Sequence, residues 1–485
     1  MRRHVRSILM IVVLGASALL LFVFMRIVKD RAGTRYPNII IITIDALRPD
    51  HLSCYGYQRK TSPHIDNLAS DGVRFTDAVS AAGWTGEATP SLLTGTYPPF
   101  HQVRTWNNVR NPLAKTLAQR LRPLGYDCSF FSDNVSLGPV DTKTGFQRVH
   151  IYADTKDHEV TRRIINDLLT AEKKNPFLIY VHYMATHAPY RPPAPYNTMY
   201  LYDKYRKKPN HRPISKRTGS DDEYKGIGCI PSLNAENGIT DTEYYIAQYD
   251  GAISYADAQV GEWVSSLKSL HLYDNTFIIV TADHGEMLGE HNVYFTHSDD
   301  YEGGYKENIN VPLIVKFPSG YMKGRVFKKL VSSIDIVPTI MATLGLQTDA
   351  YVQGENLLPF IKNPKDFSRE YVLSFYEEDA MWVVLTSKKW KIVRNNQFHS
   401  WQLYDLEADP HEEVNAKDLY PDVFNSLKAK LEDILKGVTF ANVPVKGDDL
   451  TQEQKERLRS LGYLPTIDNS YLEKSRPGKQ RSNDS

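Results

Sequence analysis

The chain has few cysteines and almost no net charge. Only Cys54, Cys128 and Cys229 occur in 485 residues. They lie far apart, with no CxxC pair and no zinc-knuckle spacing. The odd number excludes a fully paired disulfide framework and leaves room for one bridge at most. Formal net charge is +1, so no global field argues for nucleic acid or for an acidic partner. No internal repeat is present, which excludes solenoids and propellers.

One long uncharged run does occur, ILMIVVLGASALLLFVFM from Ile8 to Met25. It reaches the lower range of a membrane-spanning helix. It exceeds the usual apolar region of a signal peptide, and no small-x-small cleavage site follows it. We read it as an uncleaved single-pass anchor, with a cleaved signal as the alternative. Arg2, Arg3 and Arg6 precede it, and Arg26, Lys29, Arg31 and Arg35 follow it. The positive-inside rule therefore does not orient it. A short tail before a large body favours an extracytoplasmic body.

After this segment (1–35, anchor and linker) comes NIIIITID, a β-branched apolar run ending at Asp45. It reads as a strand buried on both faces, as in a parallel sheet. FLIYVHYM, TFIIVTADHG and VPLIVKFP repeat the pattern, with helical patterns such as EVTRRIINDLLTAEKK between them. This alternation predicts an α/β fold with a mostly parallel sheet flanked by helices over 36–348. Sites in such sheets lie beyond the carboxyl ends of the strands. An insertion at about 192–238 is rich in proline, tyrosine and basic residues (Lys204, Arg206, Lys207, Lys208, Arg212, Lys216, Arg217). It is too long for an ordinary connection. A smaller C-terminal α+β unit is expected over 349–465, and a disordered polar tail over 466–485.

The strand ends carry the chemistry. Asp45 closes the first strand, and Asp283 and His284 close TFIIVTADHG. Aspartate and neutral histidine are ligands for a divalent cation, although a lone aspartate there also serves as a helix cap. Thr85 stands just before ATPSLLTG, a plausible helix start. Its hydroxyl is a poor nucleophile in water, and a neighbouring cation would activate it. A helix cap is the plainer role. His182 and His187 follow in VHYMATHAPY, and His297 in YFTHSDDY. Each could be a ligand, a general acid or an anion donor.

Taken together, these blocks resemble the sulfatase family of the alkaline phosphatase superfamily, from about Pro37 to Asn415. PNIIIITIDALRPDHLSCYGY resembles its opening strand and first metal-binding aspartate. TGEATPSLLTGTYPPFHQV resembles its nucleophile motif. LIYVHYMATHAPYRPP, TADHGEMLGEHN, YEGGYKENINVPLIV, SSIDIVPTIMATLGL and LYDLEADPHEEVN match further blocks. The resemblance implies an alkaline-phosphatase-like sheet and one divalent ion (Ca, Mn, Zn or Mg) held by Asp45, Thr85, Asp283 and His284. It places Thr85 at the nucleophile position and His187 in the substrate pocket. It further implies catalytic roles for Thr85, His187 and His297, and substrate contacts from His182, His187, Asn134 and His297.

The chain also departs from the family's pattern. Threonine stands where the family has the cysteine or serine that becomes formylglycine, so no formylglycine is expected. Thr89 stands where the motif has arginine, and Ala46 replaces the second aspartate of the usual pair. The remaining set resembles the single-metal centre of membrane-anchored phosphoglycerol and phosphoethanolamine transferases. By family the implied activity is sulfuric ester hydrolysis. By residues it is phosphoester hydrolysis or phosphotransfer through Thr85. The expected substrate is an anionic ester, a sulfated or phosphorylated glycan or lipid headgroup. A non-catalytic protein binding such groups is the alternative.

Overall fold

The computed structural model describes residues 36–455 apart from 105–107, 139, 153–156, 171–174, 202–210, 216–225, 297–302, 377–381, 438–444, 447–450 and 453–454. The apolar segment at 8–25, His297, the C-terminal tail and all the basic residues named in the insertion except Arg212 lie outside the described residues. Among the described residues, no helix is long and apolar enough to cross a membrane. All three cysteines are free thiols.

Eight strands form the central sheet: β1 (Asn38–Ile44), β2 (Val73–Val79), β3 (Asp127–Ser132), β4 (Arg148–Ile151), β5 (Phe177–Tyr183), β6 (Thr276–Thr281), β7 (Asn310–Lys316) and β8 (Arg325–Ser332). Their spatial order is β8-β2-β7-β6-β1-β5-β3-β4. β1 lies between β5 and β6 and is parallel to both, and every one of its residues is buried. That burial explains its unbroken apolar run. VPLIVKFP was expected to join the parallel set, but it forms β7, which runs antiparallel to both β6 and β2. Periodicity cannot distinguish the two directions, because either kind of strand buried on both faces reads as a continuous apolar run.

Helices cover the sheet. They include α1 (Pro63–Asp71), α2 (Thr85–Thr94), α3 (Asp157–Thr170) and α4 (Thr242–Ser269). The Asp241 side chain caps α4 by accepting from the Glu243 amide at 3.0 Å. The C-terminal unit is an antiparallel sheet of β9 (Val372–Tyr376), β10 (Trp382–Thr386), β11 (Trp390–Asn395) and β12 (Ser400–Asp405). Helix α5 (Pro421–Gly437) packs Leu427, Leu431 and Leu435 against it, four residues apart on one face.

This second sheet bears on the first. Gly83 and Phe375 exchange backbone bonds with the segment before α2: Gly83 N–H donates to Phe375 O at 3.1 Å, and Phe375 N–H to Ala81 O at 3.0 Å. The Ser374 hydroxyl donates to Ser80 O at 2.6 Å. The small sheet thus holds the chain that leads into Thr85. The described part of the insertion docks on the loop after β6. Gly228 N–H donates to Asn292 O at 2.7 Å, Tyr294 N–H to Gly226 O at 2.9 Å and Asn234 Nδ2 to Phe295 O at 2.6 Å.

Candidate active site

Register brings the strand ends together. Thr43 of β1 pairs with His182 of β5 and with Thr281 of β6, and His182 also pairs with Ser132 of β3. Asp45, His182 and Asp283 therefore meet at one edge of the sheet, all fully or almost fully buried. Each of the three offers a donor atom within 4.8 Å of the others. His182 Nε2 is 2.9 Å from Asp45 Oδ2 and 3.8 Å from Asp283 Oδ2. His284 Nε2 is 3.5 Å from Asp45 Oδ1 and 3.6 Å from Asp283 Oδ2. His284 thus stands beside the triad, as its sequence position predicts. His182 was expected to contact substrate but lies within the cluster.

The backbone is shaped to this purpose. Asp45 N–H continues the ladder to Tyr183 O at 2.8 Å. The next residue, Ala46, leaves it at φ 56°, a left-handed conformation that a non-glycine residue rarely adopts. Its amide turns to Asp283 Oδ1 at 3.3 Å. The hydroxyls of Thr186 and Ser80 donate to the carbonyls of Asp45 and Asp283. Gly285 allows the loop after His284 to lie against the turn that leads into β7, because a Cβ there would meet Glu307 O at 2.0 Å. Gly285 N–H donates to Asn308 O at 2.7 Å.

Thr85 is the first residue of α2, and Trp84 occupies the cap position with no side-chain cap bond. The helix-cap reading of Thr85 is therefore overturned. Its hydroxyl is fully buried and turned to the cluster, 3.4 Å from Asp45 Oδ2 and 3.3 Å from His284 Nε2. Gly86 follows because a Cβ there would lie 2.2 Å from the Trp84 ring.

Asn134 was expected to face substrate. Instead it is fully buried and supports the carboxylate: Nδ2 donates to Asp45 Oδ2 at 2.9 Å, while Oδ1 accepts from Ser136 N–H at 2.9 Å. His187 lies at the rim of the cluster, and its Nδ1 is 2.5 Å from Ala188 O. It acts electrostatically on Asp45.

Burial works to raise the Asp45 carboxyl. His187, the hydrogen bond from His182 and the charge of His284 outweigh it and hold the group well below the usual carboxylate range. Burial likewise opposes protonation of His182, but Asp45 and Asp283 raise it. Glu286, two residues past His284, has its carboxyl pushed up to about 8, chiefly by burial.

The donor set fits a cation. His284 Nδ1 lies 2.8 Å from Gly285 O, so that carbonyl takes the ring N–H and leaves the Nε2 lone pair toward the carboxylates. Asp45 Oδ1 and Asp283 Oδ2 are buried without a hydrogen-bond partner. Facing acceptors of this kind repel one another unless a positive charge lies between them. Sequence reasoning missed His182 as a member of this set and missed Tyr180, whose hydroxyl is 3.1 Å from His182 Nδ1. The available signal was the i, i+2 spacing of the two residues, which puts them on one face of a strand.

Comparison with known proteins agrees with this geometry. The profile of the Sulfatase family matches residues 37–346. A profile described as N-sulphoglucosamine sulphohydrolase, C-terminal, matches 289–437. An arylsulfatase of Clostridium perfringens is 24% identical over 481 residues, covering 85% of this chain and 98% of that protein. An N-acetylglucosamine-6-O-sulfatase of Bacteroides thetaiotaomicron is 22% identical over 470 residues, covering 80% of this chain and 83% of that protein. Among solved structures, the phosphonate monoester hydrolase of Agrobacterium radiobacter superposes with a TM-score of 0.68 at 22% identity, over 83% of this chain and 96% of that one. A protein solved with its substrate D-glucosamine-2-N,6-O-disulfate also gives 0.68, at 20% identity over 83% and 98%. The fold is thus shared by sulfate- and phosphonate-ester hydrolases, and with a profile match over well more than half its length, the chain belongs to the sulfatase family.

Proposed function

We propose that this sulfatase-family enzyme cleaves a phosphoester through Thr85 as nucleophile, either hydrolysing it or passing the phosphoryl group to an acceptor. The observation that carries this is the Thr85 hydroxyl itself, buried at the first turn of α2 and aimed at Asp45 and His284 rather than at a helix amide. Asp45, His182, Asp283 and His284, with Thr85, would hold one divalent cation. When bound, that ion would supply Lewis acidity and offset the charge of the anionic ester.

The chain's own residues account for the remaining steps. Thr85 Oγ1 forms a bond to phosphorus, the ester P–O bond breaks, and the leaving oxygen departs with the electron pair. The hydroxyl proton has Asp45 Oδ2 and His284 Nε2 within reach. His187, whose Nδ1 lies 2.5 Å from the Ala188 carbonyl and which acts electrostatically on Asp45, is assigned to protonate the leaving oxygen or to hold the anion. The helix dipole at the start of α2 favours the transferred anionic group. Water or an acceptor then takes the group from Thr85. His297 is assigned to substrate contact by resemblance alone.

Sulfuric ester hydrolysis is the second reading, favoured by relatives whose names assign them to sulfated sugars. Threonine supplies no aldehyde hydrate to expel sulfate, and this sets phosphoryl transfer first. A protein that only binds anionic glycans or lipid headgroups is the third reading. A buried hydroxyl held against Asp45 and His284, two of the proposed metal ligands, argues against it. The apolar run at Ile8–Met25 suggests that the body is tethered to a membrane, on the extracytoplasmic side. Incubation with aryl phosphates, phosphodiesters and aryl sulfates, followed by mass mapping of the Thr85 peptide and phosphorus NMR, separates the three. A phosphorylated Thr85 supports the proposal. Efficient aryl sulfate turnover with Thr85 never modified would establish the second reading, and absence of any turnover the third.

A further inference from the structure

The cluster contains more nitrogen than the resemblance supplies. The resemblance places one histidine, His284, among the ligands, together with a second aspartate where this chain has Ala46. Ala46 has only a methyl group, and its amide is turned to Asp283 Oδ1. His182 stands in the same cluster from the neighbouring strand, its Nε2 at 2.9 Å from Asp45 and 3.8 Å from Asp283.

His182 is held in that orientation. It is fully buried, and its Nδ1 lies 3.1 Å from the Tyr180 hydroxyl. Tyr180 is itself fully buried and stacks on Phe130 at 4.8 Å between ring centroids. The hydroxyls of Thr43 and Thr89 influence the phenol electrostatically but are buried without a hydrogen-bond partner. Without a cation, His182 Nε2–H donates to Asp45 Oδ2 at 2.9 Å; with one bound, the ring proton would move to Nδ1 and donate to the phenol oxygen, turning the Nε2 lone pair toward the carboxylates. Thr89 occupies the position where the resemblance has arginine.

We infer that His182, oriented by Tyr180, is a metal ligand that takes the place of the missing second aspartate, and that the resulting pair of imidazoles makes this centre select Zn2+ over Ca2+ and Mg2+. The inference rests on the metal-centred reading above. Imidazole suits borderline transition metals, whereas Ca2+ and Mg2+ take oxygen ligands. Replacing a carboxylate by a neutral imidazole also removes one negative charge from the site, which weakens Ca2+ more than Zn2+. The donor separations of 2.9 to 3.8 Å match the roughly 3.4 Å expected between tetrahedral donors about 2.1 Å from one ion. The competing arrangement is a protonated His182 paired with Asp45 and no metal bond to either ring nitrogen.

The test is metal affinity rather than activity. The full-length protein, stripped with chelator, is titrated with Zn2+, Ca2+ and Mg2+ by competition calorimetry, and thermal unfolding of each apoprotein checks its fold. His182→Asn replaces the ring nitrogen with an amide oxygen. It should weaken Zn2+ far more than Ca2+ and so collapse the Zn2+/Ca2+ affinity ratio. Tyr180→Phe should weaken Zn2+ by roughly 10- to 100-fold through the loss of one orienting bond, with a smaller change for Ca2+. A merely structural role would lower all three affinities together. An unchanged ratio in a folded His182→Asn protein overturns the inference, as does wild-type protein that binds Ca2+ or Mg2+ as tightly as Zn2+. Wild-type protein that takes up no divalent ion would overturn the metal-centred reading along with it.

Discussion

The two ends of the central sheet both bury charge, but only one leaves it unanswered. At the amino end of β6, Lys316 is 1% exposed. Its ammonium donates to Tyr273 O and to Thr276 O and sits 4.3 Å from the centre of the Tyr273 ring. Nearby, the Tyr273 hydroxyl donates to Asp71 at 2.8 Å, and Lys323 pairs with Asp71 at 2.6 Å. This end even borders a cavity of about 460 Å³ lined by Lys268, His271 and Lys323, yet the buried ammonium there has its partners. At the carboxyl end, Asp45 Oδ1 and Asp283 Oδ2 are buried without a hydrogen bond, with histidine nitrogens no nearer than 3.5 Å. Folding can tolerate a buried charge that is hydrogen-bonded, and an unpaired one is strongly unfavourable. The end whose carboxylate oxygens lack hydrogen bonds is therefore the candidate site for a ligand, whereas a cavity and a local excess of lysine do not make one.

This contrast can be broken by mutation, most severely at Thr85. Thr85→Val keeps the shape and removes the hydroxyl. Turnover should fall by about a thousandfold or more while metal content and unfolding temperature hold. Thr85→Ser should retain part of the rate, since serine supplies the same oxygen with a looser rotamer. A valine variant as fast as wild type would return Thr85 to a structural role.

Next in size are the ligands. Asp283→Asn and His284→Ala should each strip metal from the folded protein, read by elemental analysis after dialysis. Full occupancy in both would remove the basis of the site. Because Asp283→Asn removes one of the clustered carboxylate charges, its apoprotein should be no less stable than apo wild type, whereas His284→Ala also removes the imidazole facing both carboxylates.

The opposite end should respond in the opposite manner. Lys316→Met leaves two carbonyls short of a donor and should destabilise the fold by roughly 1–3 kcal/mol, with turnover and metal content unchanged. Burial lowers the Lys316 ammonium from 10.5 to about 8. Between these values the unfolded chain binds more protons than the fold, so wild-type stability should rise with pH across that window. The Met variant should lose this slope in denaturant titrations read at several pH values.

The smallest effect is expected in the insertion, whose described part docks on the loop after β6. Neutralising its basic residues should slow turnover of a charged substrate a few-fold at low salt, with the difference shrinking as salt rises. Identical rates across salt concentrations would mean that those charges play no part in selecting substrate.

Much of the site was legible in the sequence because it lies on strand ends. Asp45, Asp283 and His284 each close an apolar run, and in an open α/β sheet that position alone brings them to one edge. Burial on both faces made β1, β5 and β6 recognisable as strands, and a four-residue apolar repeat made α5 recognisable as a helix. The direction of β7 was not legible, nor were the roles of His182 and Asn134. His182 sits inside a strand, so its neighbours are set by register: pairing with Thr43 on one side and Ser132 on the other carries its ring to Asp45. Asn134 reads as a pocket residue until its amide is seen to donate to Asp45 Oδ2.

The sequence by itself determined the family, the α/β architecture, and a threonine where the family has a residue that is converted to formylglycine. These depend on residue type and order, which the chain carries everywhere. Only the tertiary structure decided that Thr85 is no cap, that Asn134 serves a carboxylate, and that His182 joins the acids while Tyr180 turns it. Those facts depend on which atoms stand within about 3 Å of one another, and parallel strands joined through distant crossovers bring together residues that the sequence keeps far apart.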